Sequence, residues 1–485
     1  MSVTLTSEDL IIGGKRVPAA TSRTYEVTNP ATGEVLAQVA EAGLEDVDRA
    51  VAAAREAFDS GPWPQWHPGR RASTMLKIAA LIKERANELA ELESKNAGKT
   101  IRDATAEVKG IAICFEYYAG AATKTFGETI PMAGNALDMT LRQPVGVAAQ
   151  IIPWNYPFVM AGWKLAPALA SGCCVVLKPA TRTPLTALAL GQICLEAGVP
   201  EGVVNVLTGS GSLIGAALVR HAGVDKVAFT GSTEVGSELM RMASEQITRI
   251  SLELGGKSAN IIFADTDIEK AAKQAVFASF INAGQDCTVR SRVLVQREIL
   301  DDFTTRFVEG AKKLRVGNPL DPKTQVGALI SPQQKQRVED YIQIGLAEGA
   351  QLACGGTTPD DSALAHGNFL LPTVLTDVTP QMRVAQEEIF GPVAVVMAFE
   401  DEAEAIRIAN STIYGLSGSI WTRDVGKALR VAKAVKTGTL SINTNDSVHV
   451  EAPFGGFMQS GLGRELGMYG IELYTEVKNI YIDLA

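Results

Sequence analysis

Between residues 144 and 253 the apolar positions fall into short unbroken runs: VGVAAQII, CCVVLK, VVNVL, DKVAFT and ITRISLEL. They are separated by stretches with helical spacing, Tyr156 to Ala170, Pro184 to Ala197, Ser212 to His221 and Thr233 to Ser244. Strands that are apolar throughout and alternate with helices predict an α/β unit, a parallel sheet covered on both faces. Ligands of such dinucleotide-type sheets sit at the carboxyl ends of the strands. Two glycine loops qualify as phosphate sites. FTGSTEVG, Phe229 to Gly236, follows a strand and opens a helix whose first amides can receive a pyrophosphate, with Ser232 as an added donor. Gly209-Ser210-Gly211 with Gly215 departs by one residue from the G-x-G-x-x-G spacing.

The flanking regions change period. LIIGGKRV and TYEVTNPATGEVLAQVA are short β-type runs split by turns, and from Leu44 the apolar residues Val47, Val51, Ala54 and Phe58 recur as on a helix until Gly61-Pro62. Arg70 to Lys99 and Arg102 to Ala122 continue as amphipathic helices. Phe126 to Leu141 switches to β character around an Ala-Gly-Asn turn. An extended hairpin is marginal alone, so this one predicts association with another chain. Beyond Glu253 come a strand, SANIIF, a helix from Ile268 to Asn282, the strand RVLVQ, and helices from Leu300 to Leu314 and Pro332 to Glu348. A buried strand within AQEEIFGPVAVVMAF follows, then helix, strand, helix and strand from Asp401 to Leu440, and a last β-type run suited to joining a neighbouring sheet.

At 485 residues, with 46% hydrophobic and 20% charged positions, the chain predicts two or three globular domains. Its net charge, 45 − 54 = −9, and the lack of a basic block argue against nucleic-acid or anionic-membrane binding. Six cysteines are too sparse for a disulfide scaffold and read as reduced thiols. The first twenty residues carry no basic start followed by an apolar run. No stretch approaches the roughly 20 apolar residues that span a bilayer. A cytoplasmic location is the expectation.

One pair of residues carries candidate chemistry. Glu253 ends a strand and Cys287 follows a helix and a glycine turn, 287 − 253 = 34 positions later, so both can face one cleft. A thiolate can attack a carbonyl carbon, and a carboxylate can act as general base for water that cleaves the resulting thioester. Taken singly, the cysteine could be a small core residue and the glutamate a solvated one.

ELGGKS (Glu253 to Ser258) and GQDC (Gly284 to Cys287) resemble the glutamate and cysteine signatures of the aldehyde dehydrogenase superfamily, at that family's spacing. NPATGE, PWNYP, LKPAT, FTGSTEVG, EEIFGPV and PFGG…SGLGRE extend the resemblance over essentially the whole chain. It implies a Rossmann-type cofactor domain (1–121 with 145–255), an α/β catalytic domain (256–459) and β oligomerisation segments (122–144 and 470–485), in a homodimer or homotetramer. The implied reaction is NAD(P)-dependent oxidation of an aldehyde to its acid, with no metal. Cys287 is then the nucleophile and Glu253 the base for deacylation. Asn155 is the oxyanion donor beside the Cys287 N–H, although an asparagine there could also cap the next helix. Lys164 and Glu465 relay a proton outward, or form an ordinary surface pair.

The resemblance also implies that NAD, with NADP possible, is held by Ile151, Pro153, Trp154, Lys178, Thr181, Gly209, Phe229, Gly231, Ser232, Leu254, Glu388 and Phe390. Thr181 stands where many NAD-using relatives carry glutamate, and Met458 replaces a common lysine. Tyr156, Met160 and Trp163 recur at i, i+4 and i+7, a spacing more usual for core. As a tunnel lining the set is similar to that of betaine-aldehyde and aminoaldehyde enzymes, where aromatic faces can hold an ammonium. Ile281 occupies a position where several of those enzymes carry an aromatic. Competing readings are a CoA-acylating semialdehyde dehydrogenase, which typically lacks the glutamate, and a non-catalytic binding protein on the same fold.

Overall fold

Five strands at the centre of the larger sheet run parallel in the order Arg249–Glu253, Lys226–Thr230, Val147–Ile151, Cys174–Lys178 and Val204–Val206. These elements come from a computed structural model that describes residues 6–484. The first five residues, part of the stretch read for a targeting signal, and Ala485 of the expected oligomerisation segment lie outside the described residues. Four of the five strands are buried at every position, as their unbroken apolar runs require, while Arg249 at the start of the fifth is exposed. Three short strands complete the eight-stranded sheet antiparallel to their neighbours: Gly461–Leu462 at one edge, and Leu10–Ile12 with Lys15–Val17 at the other. Helices Leu44–Asp59 and Pro157–Ser171 pack on its central strands. The register sets Ile151 opposite Lys178 on one side and Phe229 on the other, and Thr230 opposite Glu253. Four strands thus end level, and their carboxyl ends form one rim.

A second, seven-stranded sheet is built from residues 259–442 and is parallel except for its edge strand Gln351–Cys354. The third sheet is the arm. Its strands Thr129–Ile130 and Ala136–Pro144 form the expected hairpin, and Thr475–Asp483 pairs with the latter over nine residues, Thr475 opposite Pro144 and Asp483 opposite Ala136. The last β run therefore joins the chain's own hairpin. Val477 and Tyr481 of that strand stay exposed.

Two boundaries differ from expectation. Ser212 to His221 is not one helix: residues Gly211–Gly215 make a wide π-type turn before a short helix, Ala216–Arg220. Glycine and serine at the start are poor helix formers, and the turn keeps this loop at the rim. The helix from Ile268 ends at Phe280, because Asn282 and Ala283 take left-handed φ values of 49° and 55°. That break redirects the chain towards Cys287.

Among the described residues no helix is long and apolar enough to cross a membrane.

Candidate active site

Five of the six cysteines are buried, and Cys287 alone is partly exposed. Its loop is fixed from several sides. Gly284 has φ +69°, and a Cβ there would lie 2.0 Å from the Gly391 carbonyl oxygen, so only glycine fits. Gln285 accepts from the Ile330 N–H through its side-chain oxygen, and its amide donates to the carbonyls of Asn282 and Ala328. Asp286 Oδ1 accepts from both Thr288 N–H (2.6 Å) and Thr288 Oγ1 (2.8 Å). A rigid loop therefore presents the sulfur where two cavities meet, since Cys287 lines both. Burial pushes the thiol well above its ordinary range, and the carboxylates of Asp286, Glu388 and Glu253 push in the same direction. That direction favours the thiol over the thiolate.

Glu253 is buried at the other wall, and its Oε2 has no hydrogen-bond partner. Burial first and Glu465 second raise it well above the usual carboxylate range, while Lys164 and Arg464 oppose the shift. An unpartnered carboxyl with raised proton affinity, facing a cavity that also holds a thiol, suits a general base. Asn155 is buried as well. Its amide donates to the Gln285 carbonyl at 3.0 Å across 130 residues of sequence, so it does not cap the helix that begins at Pro157. One amide hydrogen remains for the cavity. Lys164 and Glu465 form an ion pair with side-chain exposures of 0% and 6%, which excludes the surface-pair reading.

Tyr156, Met160 and Trp163 line the larger cavity, about 540 Å³, together with Cys287, Glu253 and Asp286. The same three residues also pack on the main hydrophobic core, Met160 within it and the two aromatics against it. The Tyr156 hydroxyl donates to Asp286 Oδ2 at 2.9 Å, the Lys99 ammonium sits 4.3 Å from the Tyr156 ring centroid, and Trp163 meets Phe454 edge-on. Ile281 does not line the tunnel. It faces a separate groove beside Phe277 and Phe280.

The second cavity, about 200 Å³, brings together Pro153, Trp154, Gly231, Ser232, Leu254, Glu388 and Phe390 with Asn155 and Cys287. The shape fits a flat, phosphate-bearing ligand. A Cβ on Gly231 would lie 2.4 Å from the Phe229 ring, and one on Gly255 2.4 Å from the Glu388 carboxylate, so the floor has no room for side chains. Ser232 caps the helix Thr233–Ser244 by accepting from Val235 N–H, which leaves its own hydroxyl hydrogen free beside the first amides. Glu388 accepts from Gly256 N–H at 2.9 Å, and burial raises it to about 7.

Ile151, Lys178, Thr181, Gly209 and Phe229 do not line this cavity; they continue the rim. Lys178, pushed down to about 8 by burial, has its Nζ 3.5 Å from where a Cβ on Gly211 would lie, and Thr181 Oγ1 donates to the Gly209 carbonyl at 2.9 Å. Gln334 and Arg337 also line the cavity, and their helix shows only an ordinary amphipathic pattern in sequence. Gln334 donates to the Phe390 carbonyl and Arg337 to that of Glu388. Met458 takes a left-handed φ of 51° in a short strand opposite Tyr414. Nothing in the structure explains why methionine stands there.

A sequence profile described as the Aldehyde dehydrogenase family matches residues 17–480. This chain belongs to that family. Among curated aldehyde dehydrogenases it is 45% identical to a betaine aldehyde dehydrogenase of Bacillus subtilis, covering 98% of this chain and 97% of the relative. It is also 45% identical to human retinal dehydrogenase 2, over 95% and 89%. A solved structure of betaine aldehyde dehydrogenase from Staphylococcus aureus, in complex with NAD+, superposes with a TM-score of 0.97 at 43% identity, covering 98% of this chain and 94% of that one. The aldehyde dehydrogenase fold thus runs through the whole chain.

Proposed function

We propose that this aldehyde dehydrogenase oxidises an aldehyde bearing a cationic group to its carboxylic acid, with NAD held on the rim of the larger sheet. The observation that carries the reading is the placement of Cys287 in both walls, one shared with the tunnel and one with the glycine-floored cleft. A carbon bonded to that sulfur lies between a substrate pocket and a cofactor pocket.

Cys287 passes its proton to water in the tunnel and its sulfur adds to the aldehyde carbon, and the oxyanion of the thiohemiacetal receives hydrogen bonds from the Asn155 amide and the Cys287 N–H. When bound in the cleft, the dinucleotide supplies the hydride acceptor. Trp154 and Phe390, edge-to-face at 5.2 Å, bound the cleft beside the sulfur. Glu388 can accept two ribose hydroxyls, Ser232 and the helix amides face the phosphates, and Lys178 and Thr181 lie where the adenosine end continues. The thioester left on Cys287 is cleaved by water that Glu253 deprotonates. Lys164 and Glu465 take the proton outward, since Glu465 acts directly on the affinity of Glu253.

Glu253 in the tunnel wall favours hydrolysis over transfer to CoA. Substrate charge follows from the lining. Asp286 and Glu451 contribute carboxylates to the tunnel, Glu107 being paired with Lys99, and neither lysine nor arginine lines it among the described residues, a setting that attracts an ammonium and repels an acidic aldehyde. The faces of Trp163 and Tyr156 add to it. The domain and arm boundaries expected from sequence belong to the same proposal, with the chain acting as a dimer or tetramer in the cytoplasm.

The test is a panel of trimethylammonio-, amino-, neutral and carboxylate-bearing aldehydes with either nicotinamide, with and without CoA, following cofactor reduction. Expected are the highest kcat/KM for the cationic aldehydes, no need for CoA, and no turnover by Cys287→Ala, which still binds NAD. Turnover by that variant, or a preference for the acidic aldehydes, contradicts the proposal.

A further inference from the structure

Asp286, immediately before the nucleophile, is not used in the chemistry above, yet it touches both parts of the site. One oxygen receives the N–H and the hydroxyl of Thr288, the residue after Cys287, and the other receives the hydroxyl of Tyr156 from the tunnel wall. Three donors from two walls are tied through one carboxylate that only accepts. No cation is paired with it. Arg290, on the same loop, makes no ion pair with it: its terminal nitrogens donate to the carbonyls of Thr288 and Asn445 and to Ser447 Oγ, its Nε has no partner, and its charge acts at longer range on both Asp286 and Cys287.

The other charged groups around the thiol are few. From the sheet rim comes Glu253, from the cofactor side Glu388 and Arg337, and from the tunnel Glu107, Glu451 and His449. Glu107 already has a cation, since Lys99 Nζ lies 2.6 Å from its carboxylate. Asp286 is therefore a tunnel carboxylate with no ion-pair contact, and the charge that acts most on the sulfur.

We propose that Asp286 is a positioning residue that makes ionisation of Cys287 conditional on a cationic ligand: its charge opposes the thiolate in the empty tunnel, and a substrate ammonium beside Tyr156 and Trp163 offsets that charge. The thiol proton then leaves to tunnel water, and the nucleophile forms when its aldehyde is present. The empty enzyme keeps a protonated sulfur, the form that resists oxidation and adventitious alkylation. The direction agrees with the upward shift of the thiol, to which Asp286 contributes most after burial. This inference rests on the tunnel accepting a cation.

The experiment follows carbamidomethylation of Cys287 by iodoacetamide against pH, read on its peptide by mass spectrometry in the full-length native assembly. Tetramethylammonium chloride is the probe and sodium chloride at equal ionic strength the control. In the parent the inflection should move to lower pH with tetramethylammonium, making alkylation about tenfold faster at a fixed pH below it. Asp286→Asn keeps the shape of the side chain and can still accept from Thr288 N–H. Its inflection should lie low without the probe and ignore it. Thr288→Ala, which removes a hydrogen bond but no charge, should behave as the parent. An unchanged inflection in Asp286→Asn overturns the proposal, and so does a parent inflection that tetramethylammonium leaves in place. Alkylation needs no turnover, so the two readings fail separately. An enzyme that oxidises cationic aldehydes without the inflection shift loses only this inference. One that prefers neutral aldehydes yet shows a lowered inflection in Asp286→Asn loses the cationic-substrate reading.

Discussion

Glu253 illustrates how burial sets both chemistry and stability at one position. Its proton affinity is raised by desolvation and by Glu465, so the folded state favours the neutral form. The stability it contributes is complete below the unfolded value of about 4.3 and is lost as pH rises towards the folded value. Glu253→Gln, neutral at every pH, should therefore melt at a higher temperature than the parent at pH 8 and at the same temperature near pH 4, a comparison made by calorimetry at fixed salt. A variant less stable at pH 8 contradicts the sign. In the proposed cofactor site, Thr181 is the position that bears on the choice of dinucleotide. Its hydroxyl donates to the Gly209 carbonyl and brings no charge to the rim, so the 2′-phosphate of NADP meets no carboxylate there. We expect NAD to be preferred with useful activity on NADP. Thr181→Glu should shift the NAD/NADP ratio of kcat/KM further towards NAD by about ten- to hundredfold, on the order of 1–3 kcal/mol. An unchanged ratio removes position 181 as the discriminator.

At the scale of elements, the strand–helix units of the larger sheet were readable because each buried strand is an unbroken apolar run and each helix keeps its period. What sequence could not show was pairing at a distance. Leu10–Ile12 and Gly461–Leu462 close the two edges of a sheet whose central strands come from residues 147–253, and short edge strands carry no pattern naming their partner. The signatures located Cys287, Glu253 and Asn155, whereas Gln334 and Arg337 sit on a helix whose polar face resembles any solvated one. Ile281 faces a groove away from the tunnel, and the left-handed residues after it turn the loop by a geometry that periodicity does not record. The helix Thr233–Ser244 gives this scale its own test. Ser232→Ala removes the cap, at about 1 kcal/mol, and one donor beside the phosphates. Equilibrium titration should show NAD binding weakened several-fold, with kcat at saturating cofactor nearly unchanged. Unaltered binding contradicts the phosphate role.

At the scale of the whole molecule, the arm is a three-stranded sheet whose last strand keeps Val477, Tyr481 and Ile482 exposed beside an open edge. Such an edge invites pairing or covering, and closed symmetric assembly is the usual solution. Light scattering at micromolar concentration should give a dimer or a dimer of dimers, and deletion of residues 475–485 should shift it to monomer. A monomeric parent contradicts the assignment of the arm. The same view explains why the site lies where it does. The rim of one sheet supplies Glu253 and the glycine loops, while the loop carrying Cys287 leads into the second sheet, so neither alone holds both the proposed nucleophile and its proposed base.

The covalent step is tested most directly by mixing Glu253→Gln with one cationic aldehyde and NAD, then measuring reduced cofactor and intact protein mass in the same sample. About one equivalent of NADH per site should form, then production should stall, with the protein heavier by one acyl group mapped to Cys287. Steady turnover at the parental rate, or an acyl group on any other residue, contradicts the assignment of nucleophile and base.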